Sequence, residues 1–98
     1  MNGGDWSYVS LRRAELRGVA LRGVRLAEAD LTEADLREVD LTGADLSHAR
    51  LHGVRLHGAD LRGAELTGVD LADLDLRGAT IDVAQSVQLA QARGATVR

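Results

Sequence analysis

From Trp6 to Ile81 the chain carries a large apolar residue at every fifth position, and every one between those two, Leu11 through Leu76, is leucine. No regular secondary structure has that period. On an α-helix, at about 100° per residue, Leu31, Leu36, Leu41 and Leu46 would fall ~140° apart and scatter around the cylinder. On a flat strand, where side chains alternate, an odd spacing would send successive leucines to opposite faces. Neither element buries them together. A chain that turns a corner every five residues does, because each leucine then sits in the middle of a short side and points toward a common axis. The spacing predicts a solenoid.

A second inward position strengthens that reading. Two residues before the centres stand Val9, Ala14, Val19, Val24, Ala29, Ala34, Val39, Ala44, Ala49, Val54, Ala59, Ala64, Val69, Leu74 and Ala79, whereas the other three places of each unit are mostly polar, charged or glycine. Period and polarity agree on two inward and three outward side chains per unit. With 98 residues, 45% of them hydrophobic, and a net charge of −3, the chain has the length of one domain and the composition of a folded one. It has no membrane-length apolar run and no signal-peptide pattern, so a cytoplasmic protein is expected. There is no cysteine, hence no disulfide framework. Its only aromatic residues are Trp6 and Tyr8, which speaks against stacking on bases and direct nucleic-acid binding.

Units such as "EADLT", "GADLS", "GADLR" and "GVDLA" resemble the A(D/N)LXX consensus of the pentapeptide repeat proteins, and the likeness covers residues 4 to 83. It implies an all-β fold: a right-handed quadrilateral parallel β-helix with four units per coil and, with sixteen centres, about four coils. Coils spaced ~4.8 Å apart give a column of roughly 20 Å. Residues 1–5 are expected as an N-terminal tail and cap, 6–81 as the repeat, and 82–98 as a short C-terminal capping α-helix and tail. Trp6, Leu31, Leu46, Leu61 and Ile81 mark the expected core.

Open solenoid ends need covers. Trp6 and Tyr8 are the expected N-terminal pair. At the other end Asp82 reads as an N-cap with Gln85 three residues on, and Gly94 as the stop. Val83, Val87 and Ala90 share one helical face, expected to lie on the last coil, with Leu89 pointing elsewhere.

A period of twenty stacks outward positions into columns. Two columns, Ser10, Asp30, Arg50, Asp70 and Glu15, Asp35, Arg55, Asp75, put an arginine between aspartates and read as neutralising ladders. The other two leave acids adjacent: Asp40 with Asp60, and Asp45 with Glu65. These four form the candidate acidic binding surface. By twenty-residue coils from residue 4, formal charges run +2, −4, +1 and −4, with +2 in the tail.

Chemistry at a catalytic centre is not indicated. His48, His52 and His57 cluster in the third coil, yet side chains fanning out from a convex column do not converge as zinc ligands must. No serine or threonine stands beside a histidine in a nucleophile pattern, so no catalytic residue, metal site or cofactor is expected. Glycines such as Gly43 and Gly53 fall two after a centre, where a corner needs positive φ. The family resemblance implies a non-enzymatic partner for DNA gyrase or topoisomerase IV: DNA-mimicking members protect these enzymes from quinolones or toxins. The C-terminal segment is similar to the dimerisation segment of gyrase-binding members, implying a homodimer with Leu89 and Val97 as contacts. A structural or scaffolding module is the other reading.

Overall fold

The computed structural model describes residues 4–98, so residues 1–3 of the expected N-terminal tail lie outside the described residues. The chain returns over itself every twenty residues. The ten β-bridges among the described residues are all parallel and join positions twenty apart, from Asp5 with Arg25 to Asp60 with Thr80. Through the first two windings the amide of each centre donates upward, and an amide before a centre donates downward: Leu31 donates to Arg50 at 2.9 Å, and Asp30 to Val9 at 2.9 Å. Parallel pairing with a fixed offset of twenty is the register of a β-helix with four five-residue sides.

Every corner from Trp6 to Val69 is built the same way. The carbonyl of a centre accepts from the amide three residues on, as in Ala44 to Leu41 at 3.0 Å, and the residue before that donor has positive φ. Gly43 meets this need at φ 69 with open space around it. Tyr8, Arg13, Glu28, Glu33, Glu38 and His48 adopt the same conformation with a Cβ, at φ between 56 and 62. Such residues are uncommon there and cost of order 1 kcal/mol each, so the stacked ladder imposes the corner on them.

The core is one stack of leucines with Ala and Val beside them, from Leu21 to Leu74. Leu31 and Leu46 are fully buried and Leu61 nearly so. Trp6 and Ile81, expected as core, are only partly buried and pack against its two ends. At the N-terminal end Leu11, Leu16 and Val9 are likewise half-covered, and Val19 is 36% exposed. Tyr8 does not cover this end as expected. Its corner conformation swings the ring outward to 77% exposure, beside Glu28, whose carboxylate pushes the phenol above its ordinary value.

A helix, α1 (Val83–Ala92), closes the other end. Asp82 accepts the Gln85 amide at 2.8 Å and the Gln85 side chain accepts the Asp82 amide at 3.0 Å, a reciprocal capping box. After Arg93, Gly94 turns at φ 93, and Ala95 and Gly94 donate back to Ala90 and Gln91, as in a Schellman ending. The rotation of α1 differs from the sequence expectation. Val83 is 81% exposed, and Leu89 packs on the core. The reason lies in Gln85, which is buried and donates its side-chain amide to the carbonyls of Leu61 and Ala64. Leu89, one turn on, shares that face. Open carbonyls at the end of the stack need a donor more than the valines need burial.

The molecule measures 37 × 22 × 20 Å. Among the described residues no helix is long and apolar enough to cross a membrane.

Candidate functional site

The four acidic residues singled out by the column pattern are brought together. Asp40 bridges Asp60, and Asp45 bridges Glu65, on the third and fourth sides of adjacent windings. Each pair stacks at the spacing of paired strands, about 4.8 Å. Like charges this close repel unless something holds them.

What holds them is local. The carboxylate before a centre accepts from the backbone amide two residues on, and from that residue's side chain. Asp40 accepts the Thr42 amide at 3.0 Å and hydroxyl at 2.6 Å, and Asp45 accepts from Ser47 at the same two distances. Asp60 accepts the Arg62 amide at 3.1 Å and its guanidinium at 2.6 Å, and Glu65 accepts the Thr67 hydroxyl. For Asp40, Asp45 and Asp60 these bonds to the charged form pull the carboxyl down. Thr42 lowers Asp40 although the Asp60 charge opposes it, Ser47 lowers Asp45, and Arg62 lowers Asp60. The three aspartates of the patch are therefore ionised near neutral pH, and Arg62 offsets one of their charges.

The same device replaces the expected arginine ladders. Asp35 is bonded by Arg37, two residues away, at 2.7 Å and is held down to about 2, with the more distant Arg55 adding only a minor pull. Asp30 is bonded by Thr32 and, from the winding below, by Arg12 at 3.3 Å. Arg50 and Arg55 form no ion pair among the described residues. Asp to residue i+2 is a three-residue, sequence-readable motif, and the column pattern overlooked it.

The two candidate dimer contacts separate. Leu89 belongs to the cap, as described above. Val97 is 43% exposed, in the tail after Gly94. The histidines spread along one seam: His52 approaches Asp73 at 3.4 Å, and the rings of His48 and His57 lie against the backbone of Gly68 and Gly78. Among the described residues no group of three or more His, Cys, Asp or Glu is placed to hold a metal ion.

A column of stacked five-residue sides, with an ionised surface fixed by its own corners, is a β-solenoid of repeats. The family profile for pentapeptide repeats matches eight copies across residues 10–47, 21–58 and 44–81, and the chain belongs to that family. Among solved structures it is similar to trypsin-treated QnrB1, a plasmid-mediated fluoroquinolone resistance protein, at 24% identity and TM-score 0.87, over 100% of this chain and 46% of that one. HetL, involved in heterocyst differentiation regulation in the cyanobacterium Nostoc sp. strain PCC 7120, is 38% identical over 76% of this chain and 39% of its own, with TM-score 0.44. A pentapeptide repeat protein of the Arabidopsis thaliana thylakoid lumen is 33% identical over 93% of this chain and 74% of its own, with TM-score 0.40. The chain thus spans less than half of that trypsin-treated QnrB1 chain and of HetL. The family match and the likeness to trypsin-treated QnrB1 are consistent with a right-handed β-helix. No curated protein sequence matches significantly.

Proposed function

We propose that the protein is a non-enzymatic binding protein of the DNA-mimicking kind, a homodimer of four-coil columns that occupies the cationic DNA site of DNA gyrase or topoisomerase IV. The observation that carries this reading is the stacked acidic patch of Asp40, Asp45, Asp60 and Glu65. Its carboxylates repeat at about 4.8 Å along a rigid axis, near enough to the spacing of backbone phosphates to compete for the same lysines and arginines. Membership of a family with gyrase-binding members supports it, and the likeness to QnrB1 supports the shared fold. The joint between protomers lies at the C-terminal end, where Val83 and Val97 leave apolar surface in water. Two columns joined there would present two acidic patches on a two-fold axis, as a symmetric enzyme requires.

The test is a gyrase supercoiling assay with and without a quinolone, together with sedimentation of the free protein. Inhibition or protection at micromolar protein, lost in Asp40→Asn/Asp45→Asn/Glu65→Gln, is the expected result. No effect on either enzyme sinks it. A chain that sediments as a 10.4 kDa monomer at high micromolar concentration removes the dimer.

One observation favours the second reading, a structural module without topoisomerase activity. Every carboxylate of the patch already serves its own corner or its neighbour's hydroxyl, so acid at this position has a structural use without any partner.

A further inference from the structure

The junction between the third winding (44–63) and the fourth (64–83) is open on two adjacent sides. By the register Arg50 would bridge Asp70 and Arg55 would bridge Asp75, yet neither pair forms, while Asp45 with Glu65 and Asp60 with Thr80 do. The amides of Leu51, Gly53 and Leu56 and the carbonyls of Ala49 and Val54 consequently have no backbone partner among the described residues. Three features hold the fourth winding away. Leu74 stands where its column has Ala14, Ala34 and Val54. Asp73 lacks the positive φ of the equivalent corner residues, so the turn bond from Leu74 to Leu71 is missing. The Arg93 guanidinium, from the end of α1, grips the Leu74 carbonyl at 3.0 Å.

What opens is a slot with an apolar floor and unpaired peptide groups along its lip. One groove of about 310 Å³ includes Leu51, Val69, Leu74, Arg50, His48 and His52 in its walls, and a second of about 330 Å³ on the next side includes Val54, Leu56, Arg55 and His57. Unpaired strand edges of this kind are templates for another extended chain. The charges at the slot select its sign. Asp75 is paired with Arg77 at 3.3 Å, and Asp70 and Asp73, the latter 3.4 Å from His52, share the first groove with Arg50; Arg50 and Arg55 form no ion pair among the described residues and are the cations left to meet an acidic ligand. We propose that this seam is a peptide-binding site that takes an acidic segment of a partner protein by backbone pairing with residues 49–51 and 54–56, the segment turning with the column at the His52–Gly53 corner. The surface lies apart from the acidic patch, and its occupant carries the opposite requirement in charge.

The probe is an N-acetylated, C-amidated peptide alternating Glu and Val over seven residues, titrated into isotope-labelled protein. The amide resonances of Leu51, Gly53 and Leu56 should shift, and their hydrogen exchange should slow by about tenfold or more at saturation. Arg50→Gln/Arg55→Gln should weaken binding by about tenfold or more while leaving the fold intact by circular dichroism. Asp73→Gly/Leu74→Ala, which rewrites "LADLDL" to match the other units, should close the seam. The same three amides then become protected without peptide, and the peptide no longer binds. Absence of shifts at millimolar peptide overturns the proposal, as does equal binding of the Lys and Val analogue. Full protection of these amides in the free protein also overturns it. Should the seam-closing variant fail to fold, the arginine pair and the charge-reversed peptide still decide.

Discussion

The second winding and the fourth are built from nearly the same five-residue sentence, and only one of them closes. Residues 24–43 are bridged on all four sides to the windings above and below, and their inward side chains are buried to 1% exposure or less. Residues 64–83 are bridged to the third winding on two sides, and Leu76, Ala79 and Ile81 are only partly buried. The partial burial belongs to the end of the stack, as at Leu11 and Leu16, whereas the two missing bridges flank Asp73 and Leu74, one outward and one inward position. In a solenoid each winding is the template for the next, so an oversized inward residue beside an altered corner opens two adjacent sides of a junction instead of a local cavity.

That contrast can be broken by matched substitutions in one column. Leu36→Arg should prevent folding, because a charge sealed between complete windings has neither water nor a partner and costs several kcal/mol. Leu76→Arg should leave a folded protein with a lowered melting temperature, since that position is partly open. Circular dichroism melts of the two variants check this, and equal loss would mean that the fourth winding is as tightly stacked as the second. A smaller effect is expected at the cap. Gln85→Ala leaves the Leu61 and Ala64 carbonyls without their donor and should cost about 2 kcal/mol. Hydrogen exchange should then rise in the fourth winding and not in residues 24–43.

Loss of the single charge-assisted bond from Arg93 to the Leu74 carbonyl should cost less, about 1–2 kcal/mol. In Arg93→Ala, exchange at residues 70–76 should quicken while the first three windings are unchanged.

The smallest effects concern the corner carboxylates, which are densest in the regular windings. Asp35 is held at about 2 against an ordinary 3.8, and Asp30, Asp40 and Asp45 are also lowered. A depressed carboxyl contributes stability that is complete above its unfolded value and is lost as pH falls through the folded one. Unfolding midpoints should therefore be flat above about pH 5 and decline from about pH 4 toward pH 2. Thr42→Val should raise the Asp40 carboxyl toward its ordinary value, read by carbon-detected titration, while Thr42→Arg should be tolerated because Arg37 and Arg62 already occupy that corner position.

The sequence by itself determined the winding. A period of five with two inward residues leaves no helix or flat sheet able to bury the leucines, and a twenty-residue column follows from four such sides; the bridge from Asp40 to Asp60 was legible in that column. Asp82 and Gln85 likewise announced their capping box, because its partners lie three residues apart. What only the tertiary structure decided depends on groups distant in the chain. Gln85 turned α1 so that Leu89 faces inward and Val83 outward, since open carbonyls at Leu61 and Ala64 demanded a donor that no hydrophobic pattern on the helix reveals. Arg50 and Arg55 sit in columns that read as ladders, yet the aspartates bond within their own corners, where a partner two residues away costs less chain entropy than one from another winding. The opening at Leu74 was visible as one letter out of pattern. That it would separate adjacent windings along neighbouring sides of the column, and leave Arg93 holding the displaced strand, followed only once the windings were stacked.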